Sequence, residues 1–273
     1  MELPELVRRE PAASLRGVVN AYYGYREQTA QPMRRREGPG GDVVVILGFD
    51  TSWWIGDAVD PSDAGSRHSS YSGGLRETQV LTEHDGYSDG MQVNLAPAAA
   101  RALFRVPMGS LTGRIIDLEE LLGRRATRLV EQLQEQGSWA KRFDVLDATL
   151  TQWLSEAPPR STEVSWAHAR LRTSHGRVRV SWLAQELGWS RKRMAARFRE
   201  EVGLTPKAVA RVLRFERAVR LASVELAQRG DLGWGRLAHE CGYYDQAHLI
   251  REFKAISGCT PGTFFQDPAV PAA

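Results

Sequence analysis

Apolar residues change their spacing as this 273-residue chain proceeds. Early on they fall in short glycine-punctuated runs, such as Gly41-Asp42-Val43-Val44-Val45-Ile46-Leu47-Gly48-Phe49, rich in the β-branched residues that suit strands. Turn signals recur at Gly38-Pro39-Gly40-Gly41, Asp60-Pro61-Ser62-Asp63, Gly73-Gly74 and His84-Asp85-Gly86. Met91 to Leu95 reads as another strand, and Pro97 then opens a short Ala-rich helix to about Phe104. From Asp117 the spacing becomes helical, through Leu118, Leu121, Leu122, Leu129 and Leu133. After Gly137-Ser138 a second helical run carries Phe143, Leu146, Leu150, Trp153 and Leu154. It stops at Glu156-Ala157-Pro158-Pro159-Arg160-Ser161, because prolines remove backbone donors and disfavour helix before them. The pattern predicts an α+β chain: a β-rich domain over 1–116, a helical connector over 117–157 and an all-α domain over 162–266. The connector helices are expected to pack on the β-rich domain or on a second subunit.

Beyond the prolines the chain repeats itself. Leu183-Ala184-Gln185-Glu186-Leu187-Gly188-Trp189-Ser190 is answered by Leu237-Ala238-His239-Glu240-Cys241-Gly242-Tyr243-Tyr244-Asp245. Each copy predicts a short helix ended by a left-handed Gly, an aromatic, and Ser190 or Asp245 capping a second helix. Counted from those caps, Met194 and Leu249, Phe198 and Phe253, Gly203 and Gly258, and Thr205-Pro206 and Thr260-Pro261 fall in register. At about 100° per residue, the face opposite the buried Met/Leu and Phe positions holds Lys192, Arg193, Ala196 and Arg199 in the first unit. In the second it holds Ala247, His248, Arg251 and Lys254. A helix of about 10 to 12 Å, cationic on its outer side, fits a major groove about 12 Å wide. Between the units Thr205 and Pro206 start a long helix, with Val209, Leu213, Ala218, Leu221 and Ala222 inward and Arg211, Arg214, Arg217 and Arg220 expected outside.

From about Val164 to Phe265 the chain resembles the DNA-binding domain of the AraC/XylS family of transcription regulators. The resemblance rests on the repeat, on the string Gly242-Tyr243-Tyr244-Asp245-Gln246-Ala247-His248-Leu249 and on Gly258-Cys259-Thr260-Pro261. It implies base-reading positions at Lys192, Ala195 and Ala196 in the first unit and Gln246, Ala247 and Arg251 in the second. The two alanines cannot hydrogen-bond a base edge, although alanine can touch a thymine methyl; hydrogen-bonded reading should therefore lean on Gln246 and Arg251. Lys192, with Arg191, Arg193 and Arg199, is then expected mainly on phosphates. The resemblance further implies a cupin-like N-terminal barrel that binds a small-molecule effector or mediates dimerisation. Double-stranded DNA, an effector, RNA polymerase and a second copy are the partners it suggests.

Charge sharpens the division. Residues 1–159 carry 17 Lys and Arg against 22 Asp and Glu, a net of −5, and residues 160–273 carry 19 against 11, a net of +8. A polyanion would meet the C-terminal part. The two cysteines, Cys241 and Cys259, have no zinc-site spacing, and Cys241 ends a helix at an apolar position, so it is expected to be a small buried residue rather than a reactive thiol. His68, His84 and Asp85 lack matched ligand spacing and read as turn or surface residues; no metal and no cofactor is expected. Phe198, Phe253, Trp182, Trp189 and Tyr243 read as core. Trp53, Trp54 and Tyr23, with Tyr22 and Tyr25, either line an effector pocket or belong to the β core. No stretch is apolar enough for a membrane span, and Met1-Glu2-Leu3-Pro4-Glu5 has neither the basic start nor the apolar run of a signal peptide, so a cytoplasmic location is expected. No nucleophile elbow, phosphate loop or dinucleotide glycine pattern occurs. The competing readings are an enzyme or repair transferase fused to a DNA-targeting module, and a DNA binder without sequence preference.

Overall fold

The computed structural model describes residues 5–60, 64–229 and 232–266. Met1 to Pro4, on which much of the reading of the chain's start rests, and Pro61-Ser62-Asp63 of one expected turn lie outside the described residues.

The N-terminal part is β-rich, with every strand pair antiparallel. Its strands are β1 (Glu5–Arg9), β2 (Val19–Gln28), β3 (Met33–Glu37), β4 (Val43–Gly48) and β5 (Trp53–Asp57), followed by β6 (Ser66–His68), β7 (Tyr71–Gly73), β8 (Val80–His84), β9 (Tyr87–Leu95) and β10 (Ile115–Asp117). They form two sheets, β1-β2-β9-β4-β7-β10 and β3-β8-β5-β6, and not one closed barrel. Alternation along the strands sends Tyr22, Leu47, Met91, Val93 and Leu95 to a large core shared with the helices. The residues between them point the other way, where Ile46, Tyr71, Trp53, Ile55 and Val80 form a second cluster joining the two sheets.

Helices close the outer face of the larger sheet. They are α1 (Pro97–Phe104), which opens with the expected proline, α2 (Leu118–Leu122), α3 (Arg124–Gln134) and α4 (Trp139–Ser155). Phe143 of α4 stacks on Tyr22 with ring centroids 6.0 Å apart. Trp139 lies so close over Gly24 that a Cβ there would sit 2.4 Å from the indole, so glycine is what lets the helix approach. Asp147 accepts hydrogen bonds from the Tyr22 hydroxyl at 3.1 Å and the Ala12 amide at 3.0 Å. The connector helices thus pack on the β-rich part of their own chain.

The C-terminal part is all helical: α5 (Thr162–Thr173), α6 (Val180–Glu186), α7 (Arg191–Glu201), α8 (Pro206–Arg229), α9 (Trp234–Glu240), α10 (Gln246–Ser257) and α11 (Pro261–Phe264). Its first half is continuous with the β-domain core, since Leu171, Leu183, Met194, Phe198 and Leu213 belong to the same cluster as the sheet. Its second half has its own core around Phe215, Leu237, Leu249 and Phe253. Arg172 pairs with Asp42, Arg211 with Glu77 at 3.0 Å, and Arg101 with Glu200 at 3.2 Å. The Thr112 hydroxyl donates to the Gly203 carbonyl at 2.8 Å. The second unit touches the β-rich part through the Gln79 amide, which donates to the Ile256 carbonyl at 3.1 Å.

Candidate nucleic-acid interface

The two repeat units fold alike because their turn chemistry is alike. In the first, α6 gives way to Gly188 at φ +61°, and Ser190 caps α7 by accepting from the Arg193 amide at 3.1 Å. In the second, α9 gives way to Gly242 at φ +81°, and Asp245 caps α10 by accepting from the His248 amide at 2.7 Å. Both glycines occupy backbone that side-chain-bearing residues adopt only under strain. Met194, Phe198, Leu249 and Phe253 are all buried, which fixes the face that α7 and α10 turn outward.

On those outer faces Arg191, Lys192, Arg193, Ala196 and Arg199 of α7, and Gln246, Ala247, Arg251 and Lys254 of α10, are exposed. Ala195 is half-buried. The guanidinium of Arg193 lies 4.9 Å from the Trp189 ring centre, a contact that steadies the first turn of α7. His248 differs from its neighbours: its Nδ1 accepts from the Tyr244 amide at 3.2 Å and its Nε2 lies 3.4 Å from Glu252. The imidazole therefore braces the turn as well as bordering the outer face.

Arg214 of α8 is not free on the outside, as the helical periodicity suggests, and neither is Arg211. Arg214 donates to the Gly176 carbonyl at 3.2 Å and to Glu252 at 3.1 Å, with its side chain only 17% exposed. One guanidinium thereby ties the turn after α5 to α10 of the second unit. Burial pushes the Cys241 thiol up to about 11, so it stays protonated and unreactive near neutral pH.

Several expectations need correction. Trp182 is 39% exposed rather than core, resting against Trp166 with centroids 5.9 Å apart. His84 is a buried strand residue beside Glu27, not a surface one, and burial holds its imidazole below the ordinary value. His68 is a strand residue bonded to Asp117 and Ser66, each at 2.7 Å. Trp53, Trp54 and Tyr23 are not brought together: Trp53 lies between the sheets, edge-on to Tyr25 and Tyr71. Trp54, the next residue, faces the other way over Gly56 and Gly65. A cavity of about 790 Å³ does exist in this part, but it is lined from the ends of β4 and β6 and from α2 and α3, by residues including Asp50, His68, Asp117, Glu131 and Gln134. Among the described residues no three His, Cys, Asp or Glu side chains gather as metal ligands. No helix among them is long and apolar enough to cross a membrane.

No curated protein matches the chain by sequence. Among solved structures it is similar to ToxT from Vibrio cholerae strain SCE256 bound to an unsaturated fatty acid, at 12% identity, with 94% of this chain and 96% of that one covered and a TM-score of 0.47. It is similar to ToxT from Vibrio cholerae O395 bound to (E)-4-(8-methylnaphthalen-1-yl)but-3-enoic acid, at 11% identity, with 91% and 98% covered and a TM-score of 0.47. For the AraC-like transcriptional activator CuxR the identity is 12%, the coverage 81% and 87%, and the TM-score 0.34. A family model described as a helix-turn-helix domain matches residues 183–267, the stretch that holds both capped units. The C-terminal region of this chain is a helix-turn-helix domain.

Proposed function

We propose that the protein regulates transcription by reading a bipartite DNA site with α7 and α10, under the control of a small molecule held by residues 1–157. The observation that carries this reading is the pair of equivalently capped helices, each buried on one face and exposing cationic or small residues on the other. Both units stand on one chain, so a monomer suffices to engage two major-groove segments. In this reading Gln246 and Arg251 select bases, Ala247 contacts them, and Arg191, Lys192, Arg193, Arg199 and Lys254 hold phosphates. Residues 1–116 form the sensing part, 117–157 its helical cover and 162–266 the reader, acting in the cytoplasm. The effector occupies the 790 Å³ cavity, a volume within the usual range of ligand sites, which neither Trp53, Trp54 nor Tyr23 lines.

The test is equilibrium binding of the purified chain to duplexes carrying its selected sequence against random duplexes, at two salt concentrations. A preference of about a thousandfold or more supports the reading, whereas equal affinities that fall steeply with salt contradict it. Melting with candidate metabolites tests the sensing part; no stabilisation by any compound would sink effector control.

A second reading, an enzyme domain joined to the DNA-binding module, has one observation in its favour. Ser66 Oγ meets His68 Nε2 and His68 Nδ1 meets Asp117, both at 2.7 Å, the order of contacts a hydrolase uses to activate a serine. Hydrolysis of an activated ester that vanishes in Ser66→Ala would support this reading, and its absence in the wild-type chain would dismiss it.

A further inference from the structure

Where the turn after α5 and the middle of α8 meet the second unit lies a cleft of about 670 Å³. Arg177 enters it from the turn after α5, Arg217 from α8, His239 from the end of α9, Tyr243 and Tyr244 from the second turn, and His248 from the start of α10. Its carboxylate, Glu240, already accepts from Arg236 at 2.7 Å. Among the described residues no ion pair joins Arg177 or Arg217 to a carboxylate. The surroundings register this: burial and then Arg217, Arg220, Arg172 and Arg177 together hold His175 below the ordinary imidazole value.

Two further features show a built site. The Tyr243 hydroxyl is buried without a hydrogen-bond partner among the described residues, although such groups are costly to leave unpaired, and the Arg217 guanidinium, its Nε likewise unpaired, lies beside the Cys241 thiol. At Gly242 an added Cβ would lie 2.9 Å from Arg177 Cγ and 3.7 Å from Arg214 Cδ, so the glycine lets both arginine stems lie across the turn.

The location decides what anion fits. Tyr244 and His248 flank the first turn of α10, so the cleft adjoins one reading face while Arg177 stands just ahead of the first unit. A duplex that offers one major-groove segment to α7 and the next to α10 must carry its sugar-phosphate backbone past the strip between them. We propose that this cleft seats a phosphodiester of the DNA backbone between the two major-groove segments, with Arg177 and Arg217 supplying the charge and the tyrosines flanking it. The inference rests on the DNA-reading role proposed above. It adds a fixed point that sets the duplex's register against both helices at once, which phosphate contacts do without carrying sequence information.

The experiment compares the full chain with Arg177→Ala, Arg177→Lys and Arg217→Gln on selected and random duplexes across a salt series. Arg177 is exposed, so its truncation leaves the fold intact, and melting curves verify this for each variant. Arg177→Ala and Arg217→Gln should each lower the slope of log affinity against log salt by about 0.9, and affinity by about fivefold at 0.15 M salt, equally on both duplexes. Arg177→Lys should keep the slope. Unchanged slope and affinity in both charge-removing variants, with normal wild-type binding, would overturn this inference alone; a wild-type chain that binds no duplex would overturn the DNA-reading role with it. Stabilisation by inorganic phosphate that depends on Arg177, with DNA slopes unchanged, would assign the cleft to a free anion and overturn the proposal.

Discussion

Truncating Phe253 to alanine separates the two halves of the reader. Its side chain is fully buried, with ring centroids 4.8 Å from Phe215 and 5.1 Å from Phe264. Removing such a ring costs about 3 to 5 kcal/mol, from lost transfer, the cavity left behind and the aromatic contacts. The cost falls locally, because Phe253 belongs to the second unit's own core while Met194 and Phe198 of the first unit share the sheet's core. At 1.36 kcal/mol per tenfold, the amides of α9, α10 and α11 should exchange with solvent roughly a hundred to several thousand times faster. Amides of β9 and α4 should keep their wild-type protection, and specific DNA affinity should collapse. Equal acceleration in β9 would show a single cooperative unit and refute the reasoning; so would unchanged exchange in α10.

Arg251→Ala should lose about 1 to 3 kcal/mol of preference for the selected duplex while keeping most of its affinity for random DNA. An equal loss on both would assign Arg251 to the backbone instead. Ser190→Ala and Asp245→Ala each remove the acceptor that caps a reading helix and should cost about 1 kcal/mol in denaturant unfolding, with no change in either expected only if water replaces the cap. His168 is buried and held down to about 4, chiefly by desolvation and further by Arg172, against a hydrogen bond with the Gly41 backbone. The unfolded chain therefore takes up this proton first, near pH 6.5, and the stability His168 contributes is whole above that pH and drains away as pH falls toward 4. Asp42 and Glu216 are held up by burial and act in the opposite direction, so the comparison is with His168→Gln. Between pH 7.5 and 4.5 the wild type should lose roughly 2 to 3 kcal/mol more than the variant; equal losses would contradict the assignment.

The two helix-turn-helix units were legible because their information is local. A glycine, a cap and two apolar residues at fixed offsets specify a helix, a turn and a buried face, and Gly188, Ser190, Met194 and Phe198 with their counterparts do so. The sheets were legible only where a strand is long and apolar, as in β4 and β9. β3, Met33-Arg34-Arg35-Arg36-Glu37, hides behind its charges because it is an edge strand, whose Arg35 is taken up by Glu27 at 2.6 Å. β6, β7 and β10 have three residues each, too few for a period to show. Arg214 was misplaced because helical periodicity reports a face and not what packs against it: Gly176 and Glu252, each 38 residues away in sequence, claim that guanidinium. The basic cleft was invisible for the same reason, since Arg177 and Arg217 come from a turn and a helix that only the tertiary fold brings together.

The most direct test of the two-helix reading is selection of bound sequences from a pool of random duplexes by the purified full chain. The account predicts two enriched blocks whose centres lie about 10 to 10.5 base pairs apart, the spacing of successive major grooves on one face of DNA, with the block read by α10 the more sharply defined. Recovery of a single block, or of no enriched sequence at any salt concentration, would contradict it.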